Sequence, residues 1–179
     1  NRISTETHST VISNVSNELL SLIQGQYKDL KWNAGPVLPA SAIPANYLPT
    51  MKILEDGLLC QSVVMTQRLS DFFILVLEKT ASLFWLPIML ATWENTTNQC
   101  ELQRWSYIFG VAFQISDDLQ DVEQDERNGK PNICQCLSLD SARGLLKYLV
   151  DWLEANIVNL QAVDVELLSE IIGIVRVRC

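Results

Sequence analysis

Apolar positions along this chain recur mostly at helical spacing. Behind a polar start rich in Ser and Thr, Leu19, Leu20, Ile23, Tyr27 and Leu30 fall on one face of a 3.6-residue period, with Ser16 and Asn17 as potential caps. A first helix is therefore predicted up to about residue 30. Residues 32–49 break the pattern with Pro36, Pro39, Pro44 and Pro49. Each proline removes a backbone donor and crowds the preceding turn, so a long loop, a candidate lid, is expected there. A moderately helical segment follows over 50–68. Residues 69–93 are apolar almost all round, as in a buried central helix, with Pro87 as a candidate kink. After a polar connector at 94–100, Leu102, Trp105, Ile108, Phe109, Ala112, Phe113, Ile115 and Leu119 mark another long helix. EQDERNGKPN, residues 123–132, reads as a charged turn, and 137–160 and 163–177 as two closing amphipathic helices. No stretch alternates as a strand and no internal repeat occurs, so an all-α single domain over 1–179 is predicted.

Composition narrows the function classes. The 179 residues are 48% hydrophobic and 19% charged, enough to bury one substantial core. Seven Gly and six Pro are fewer than a turn-rich sandwich needs. A net charge of −8 argues against a nucleic-acid surface, although an acidic protein still binds phosphates when cations bridge the two. The five cysteines, Cys60, Cys100, Cys134, Cys136 and Cys179, are odd in number and lack paired zinc-ligand spacing, which predicts reduced thiols and a cytoplasmic location. Glu78 and Lys79 interrupt the densest apolar stretch short of the ~18 residues of a membrane span, so no transmembrane segment is expected. Lone His8 is expected on the surface, and the N-x-S/T acceptors at Asn14 and Asn95 matter only in a secreted chain. Beginning at Asn1 rather than Met, the sequence is expected to be a piece of a longer or processed chain.

The chemistry concentrates in FGVAFQISDDLQDVEQDERNGKP. On a helix, Asp117 and Asp121 lie one turn apart on one face, Asp118 is about 100° round, and Gln114 precedes both by a turn. Like charges this close raise one another's pKa unless a cation neutralises them. Against the alternative of a solvated acidic helix end, three such carboxylates beside Phe113 and Ile115 call for a hard divalent ion, Mg²⁺ before Mn²⁺, because Mg²⁺ takes one or two carboxylates together with waters and phosphate oxygens. Asp125, Glu123 and Glu126 extend the acidic run and are expected to be plain exposed charges.

These residues resemble a known family. FQISDDLQD resembles the second aspartate-rich motif, FQ-x-x-DD-x-x-D, of the trans-isoprenyl diphosphate synthases (polyprenyl synthetases). GQYKDL at 25–30 is similar to the G-Q-x-x-D-L segment, EKTASLFWLP at 78–87 to the K-T-x-x-L-F segment, and NGKP at 128–131 to the lysine turn, all in the family's order. The resemblance covers about residues 20–150. It implies an orthogonal helical bundle of the isoprenoid synthase type and an enzyme joining an allylic diphosphate to isopentenyl diphosphate. It further implies that Asp117, Asp118 and Asp121 hold magnesium, with Gln114 and Lys79 in the same catalytic site. Lys79, Thr80, Gln114, Lys130, Gln26 and Asp29 would be the substrate-binding set. Phe72, Phe73, Phe84, Trp85 and Phe109 are candidates to line a cavity for the growing apolar chain, against the alternative of plain core. A homodimer, or a hetero-oligomer, is implied as well.

Three departures qualify the resemblance. No second pair of adjacent aspartates exists, so the family's first DD-x-x-D cluster is absent and the N-terminal helices that carry it are expected to be missing. The stretch from Asp29 to Lys79 is about twice the family's length, and NICQCLSLDSARG does not match a G-K-x-T-x-P segment. Two alternatives stand beside the synthase: a class I terpene cyclase, which would carry an N-x-x-x-S-x-x-x-E type motif, and a non-catalytic subunit that needs another chain for the first cluster.

Overall fold

The computed structural model describes residues 5–32, 43–94, 98–158, 160 and 164–176. Its described residues form helices and connectors without strands, an all-α fold consistent with the isoprenoid synthase type. The helices are α1 (Thr5–Lys31), α2 (Leu48–Cys60), α3 (Gln67–Val76), α4 (Ser82–Ala91), α5 (Gln99–Asp118), α6 (Val122–Asn128), α7 (Leu139–Ile157) and α8 (Val165–Arg176).

At the centre lies α5, with Trp105, Tyr107, Ile108, Phe109, Val111, Ala112 and Ile115 all buried. It packs on α4, on the turn before α4 and on α7. The face that α7 buries, Leu145, Leu146, Leu149, Val150 and Leu153, has the i, i+3, i+4 spacing of an amphipathic helix. Trp105 donates its indole N–H to the Leu153 carbonyl at 3.1 Å, so its buried polar atom is satisfied. Phe72, Phe73, Trp85 and Phe109 are core residues, while half-buried Phe84 meets Phe109 edge-on at 4.9 Å.

Several elements differ from expectation. Residues 33–42 of the proline-rich stretch lie outside the described residues, but its end is ordered into a 3-10 turn, Ala45–Tyr47, and the start of α2. Pro49 sits in the first turn of α2, where a missing N–H costs nothing. The segment expected over 50–68 is divided after Cys60, where Ser62 takes a positive φ of 57°. Thr66 then caps α3 by accepting from the Leu69 N–H. Pro87 stands inside α4, yet the helix continues to Ala91. The irregularity falls earlier, in a π-helical turn at Leu77–Ala81. Residues 122–128, expected as a charged turn, are α6, favoured by Glu123 and Asp125 in the first turn and ended by Gly129 in the left-handed region at φ 64°.

Gln67–Ala91 runs continuously and is long and apolar enough, by length and composition alone, to cross a membrane; 61% of its most apolar window is buried in the fold. Glu78 and Lys79 do not interrupt it, because each has an ion-pair partner on α1.

In α1, Leu19, Leu20, Ile23, Tyr27 and Leu30 are all exposed, Leu30 to 82%. The helix docks instead through Glu18, Gly25, Lys28 and Asp29.

Candidate active site

The π-helical turn carries EKT, and its seat explains both flanking glycines. A π turn inserts one residue into the helix, and such turns recur at functional sites. The Ser82 hydroxyl donates to the Leu77 carbonyl at 3.2 Å, taking up a carbonyl of the irregular turn. On one side the turn lies against Gly25 of α1, where an added Cβ would sit 2.5 Å from the Lys79 backbone nitrogen. On the other it lies against Gly110 of α5, where a Cβ would sit 2.5 Å from the Ala81 Cα. Only hydrogen at both positions allows three helices to close on this turn.

Two ion pairs finish the contact with α1. Lys28 Nζ lies 2.7 Å from Glu78 Oε1, and Lys79 Nζ lies 2.9 Å from Asp29 Oδ1. Lys79 and Asp29, both expected in the substrate site, thus come together. Gln26 is exposed on α1. Sequence reasoning passed over Lys28, although the complementary doublets Lys28-Asp29 and Glu78-Lys79 were its available signal.

From the turn, hydrogen bonds lead to the acidic helix end. Thr80 Oγ1 donates to Gln114 Oε1 at 2.9 Å, and Gln114 Nε2 donates to Asp118 Oδ1 at 2.7 Å. Asp118 Oδ2 accepts from the Ile133 N–H at 2.7 Å. Asn132 Nδ2 donates to the Asp118 carbonyl at 2.8 Å and to Asp125 Oδ2 at 2.9 Å. Asp118 is 1% exposed with both oxygens engaged, and burial pushes its pKa up to about 7 against the lowering effect of those two donors.

The three aspartates are therefore divided. Asp117 is exposed and Asp121 half-buried, and the Asp121 N–H still bonds the Asp117 carbonyl at 3.1 Å, so the one-turn relation survives past the end of α5. Asp118 faces the core, where each of its oxygens accepts a hydrogen bond, whereas Asp117 and Asp121 are open to solvent. Among the described residues, no three His, Cys, Asp or Glu side chains are grouped to hold a metal ion. The pair that remains, Asp117 and Asp121, still suits Mg²⁺, which takes one or two carboxylates and completes its shell with water and phosphate oxygens. Asp125 is buried, a correction to its expected exposure, because it anchors Asn132.

Lys130, exposed just after Gly129, presents its side chain from a turn whose backbone is held at both faces: its N–H donates to the Asp125 carbonyl at 2.9 Å, and its carbonyl accepts from Gln135 Nε2 at 2.7 Å. Cys60, Cys100, Cys134 and Cys136 are free thiols, and the side chain of His8 lies outside the described residues.

The structure is thus an all-α helical bundle of the isoprenoid synthase type in which a lysine-bearing turn is hydrogen-bonded to an aspartate-rich helix end. The polyprenyl synthetase family model matches residues 2–136, more than half of the chain, and the chain belongs to that family. Its members are prenyltransferases of isoprenoid biosynthesis, generally dependent on a divalent metal. No curated protein and no solved structure gives a significant match.

Behind the turn, Glu18 and Glu78 are buried, each with its Oε2 unpartnered, and burial raises both pKa values against hydrogen bonds that lower them. A carboxyl whose folded pKa is raised stabilises the fold fully below its unfolded pKa and loses that contribution as pH rises through the folded one. Thermal stability should accordingly fall from the ordinary glutamate range upward through the raised values. Melting curves of Glu18→Gln should show a shallower slope across this window and a higher Tm than wild type on its alkaline side.

Proposed function

We propose that this chain carries half of the catalytic site of a Mg²⁺-dependent trans-prenyltransferase that condenses an allylic diphosphate with isopentenyl diphosphate. The observation that carries the reading is the line Thr80–Gln114–Asp118, which joins the turn bearing Lys79 to the helix end bearing Asp117. In this reading Asp117 and Asp121 hold Mg²⁺, which supplies positive charge against the leaving diphosphate. Lys79 and Lys130 bind diphosphate oxygens as point charges. Asp29 keeps the Lys79 ammonium aimed, and the hydrogen-bonded Thr80–Gln114 pair is fixed before substrate arrives, so little reorganisation is needed as charge develops. The allylic C–O bond breaks with its electron pair leaving on diphosphate, the isopentenyl double bond attacks the allylic cation, and one proton is lost.

Turnover of allylic and isopentenyl diphosphates with Mg²⁺, abolished by EDTA, is the expected result once the other half of the site, the first aspartate cluster, is supplied within a longer chain. Absence of product in the presence of Mg²⁺ favours the second reading, a subunit whose first aspartate cluster comes from another chain, which the single adjacent aspartate pair supports. Terpene cyclisation would show as hydrocarbon released without isopentenyl diphosphate.

We further propose that the exposed stripe Ile12, Leu19, Ile23, Tyr27 and Leu30 of α1 is the face through which the chain associates with a second copy. Sedimentation velocity of Ile23→Glu with Leu30→Glu should show a smaller species than wild type; an unchanged species would exclude this face.

A further inference from the structure

One turn beyond Asp29, at the end of α1, Trp32 makes contacts that neither the metal nor the ion pairs account for. Its indole N–H donates to Gln135 Oε1 at 3.0 Å, across 103 positions of sequence. Its ring meets Phe72 edge-on at 6.2 Å, and the Arg68 guanidinium lies over it at 5.7 Å from the ring centroid. Three partners fix one half-buried side chain. Gln135 in turn spends both ends of its amide, one on Trp32 and one on the Lys130 carbonyl.

Segment 130–135 is thus fastened twice. From inside, Asn132 and the Ile133 N–H tie it to Asp118; from outside, Gln135 ties it to Trp32. The Trp32 backbone N–H donates to the Asp29 carbonyl at 3.3 Å, so the turn of α1 that holds Lys79 through Asp29 holds the Lys130 turn through the Trp32 side chain. We propose that this last turn of α1 fixes the position of Lys130, with Trp32 and Gln135 as positioning residues for its contact with diphosphate. The inference rests on the reading of Lys130 as a diphosphate contact. A glycine-ended loop without this strap would leave a flexible lysine to be ordered on binding, at a cost in affinity.

The test is isothermal titration of the full chain with inorganic pyrophosphate in the presence of Mg²⁺. Trp32→Phe keeps an aromatic ring but removes the indole N–H together with the pyrrole half of the side chain; Gln135→Met keeps the whole of Trp32, keeps length on an exposed residue and removes both hydrogen bonds. Each should weaken binding about threefold to tenfold, the worth of one or two net hydrogen bonds. In a Lys130→Ala background the same substitutions should have no further effect, whereas in Lys79→Ala they should keep theirs. A purely structural role would lower binding equally in all three backgrounds. Wild-type binding that is unchanged in Trp32→Phe and Gln135→Met, or losses that persist in Lys130→Ala, would overturn the strap and leave the site reading intact. Failure of wild type to bind, or an unaffected Lys130→Ala, would overturn the site reading and the strap together.

Discussion

Replacing Asp117 with asparagine is expected to lower prenyl transfer by about a thousandfold while leaving the melting temperature within a degree or so of wild type. The magnitude follows from removing one charged group that acts where charge develops, worth on the order of 10²- to 10³-fold or more. The unchanged stability follows from exposure, since surface substitutions away from special features fall within about 0.5 kcal/mol. Asp118→Asn separates the two roles. Its new amide would face either the Ile133 N–H or the Gln114 amide, donor against donor, in a site 1% exposed. An unsatisfied buried donor costs about 1–3 kcal/mol, so this variant should lose both stability and activity. Comparison of kcat and Tm for the two variants is the check; an Asp117→Asn enzyme with near-normal turnover would remove Asp117 from the metal set.

The second large effect is on folding. Gly25→Ala places a methyl 2.5–2.8 Å from three backbone atoms of Glu78 and Lys79, and backbone cannot swing aside as a side-chain tip does. Overpacking of this kind costs about 1–3 kcal/mol, and at about 2–4 °C per kcal/mol the Tm should fall by about 2–12 °C. The displaced π turn also pulls Lys79 from Asp29, so pyrophosphate affinity should fall with it. Gly173→Ala is the control. Nothing lies within 4 Å of its added Cβ, and replacing a mid-helix glycine should stabilise by about 0.5–1 kcal/mol. Equal behaviour of the two alanines in thermal melts would refute the close-approach account of Gly25.

Much of the fold was legible because burial of α5 and α7 leaves a local, periodic record. Leu145, Leu149 and Leu153 read as one helix face in any context, and they are one. The family likewise read directly from the motifs FQISDDLQD, GQYKDL and EKT, which lie within the residues that the family model matches. What failed to read was orientation. The apolar spacing in α1 predicted a helix but not its docking, which goes through a glycine and two ion pairs whose partners lie about 50 residues away. The three aspartates looked equivalent because spacing alone cannot say that α5 ends at Asp118 or that Ile133 supplies an N–H to it. Trp32 and Gln135 left no pattern at all, being joined by one hydrogen bond across most of the chain.

By itself, then, the sequence determined an all-α chain, most of its helix-forming segments and the aspartate, lysine and glutamine motifs of a polyprenyl synthetase, because periodicity and residue type are properties of neighbouring positions. Only the tertiary structure decided which carboxylates stay open to a cation, which lysines are held by acids and which face of α1 meets solvent, because burial and hydrogen-bond partnership are properties of residues brought together from distant parts of the chain.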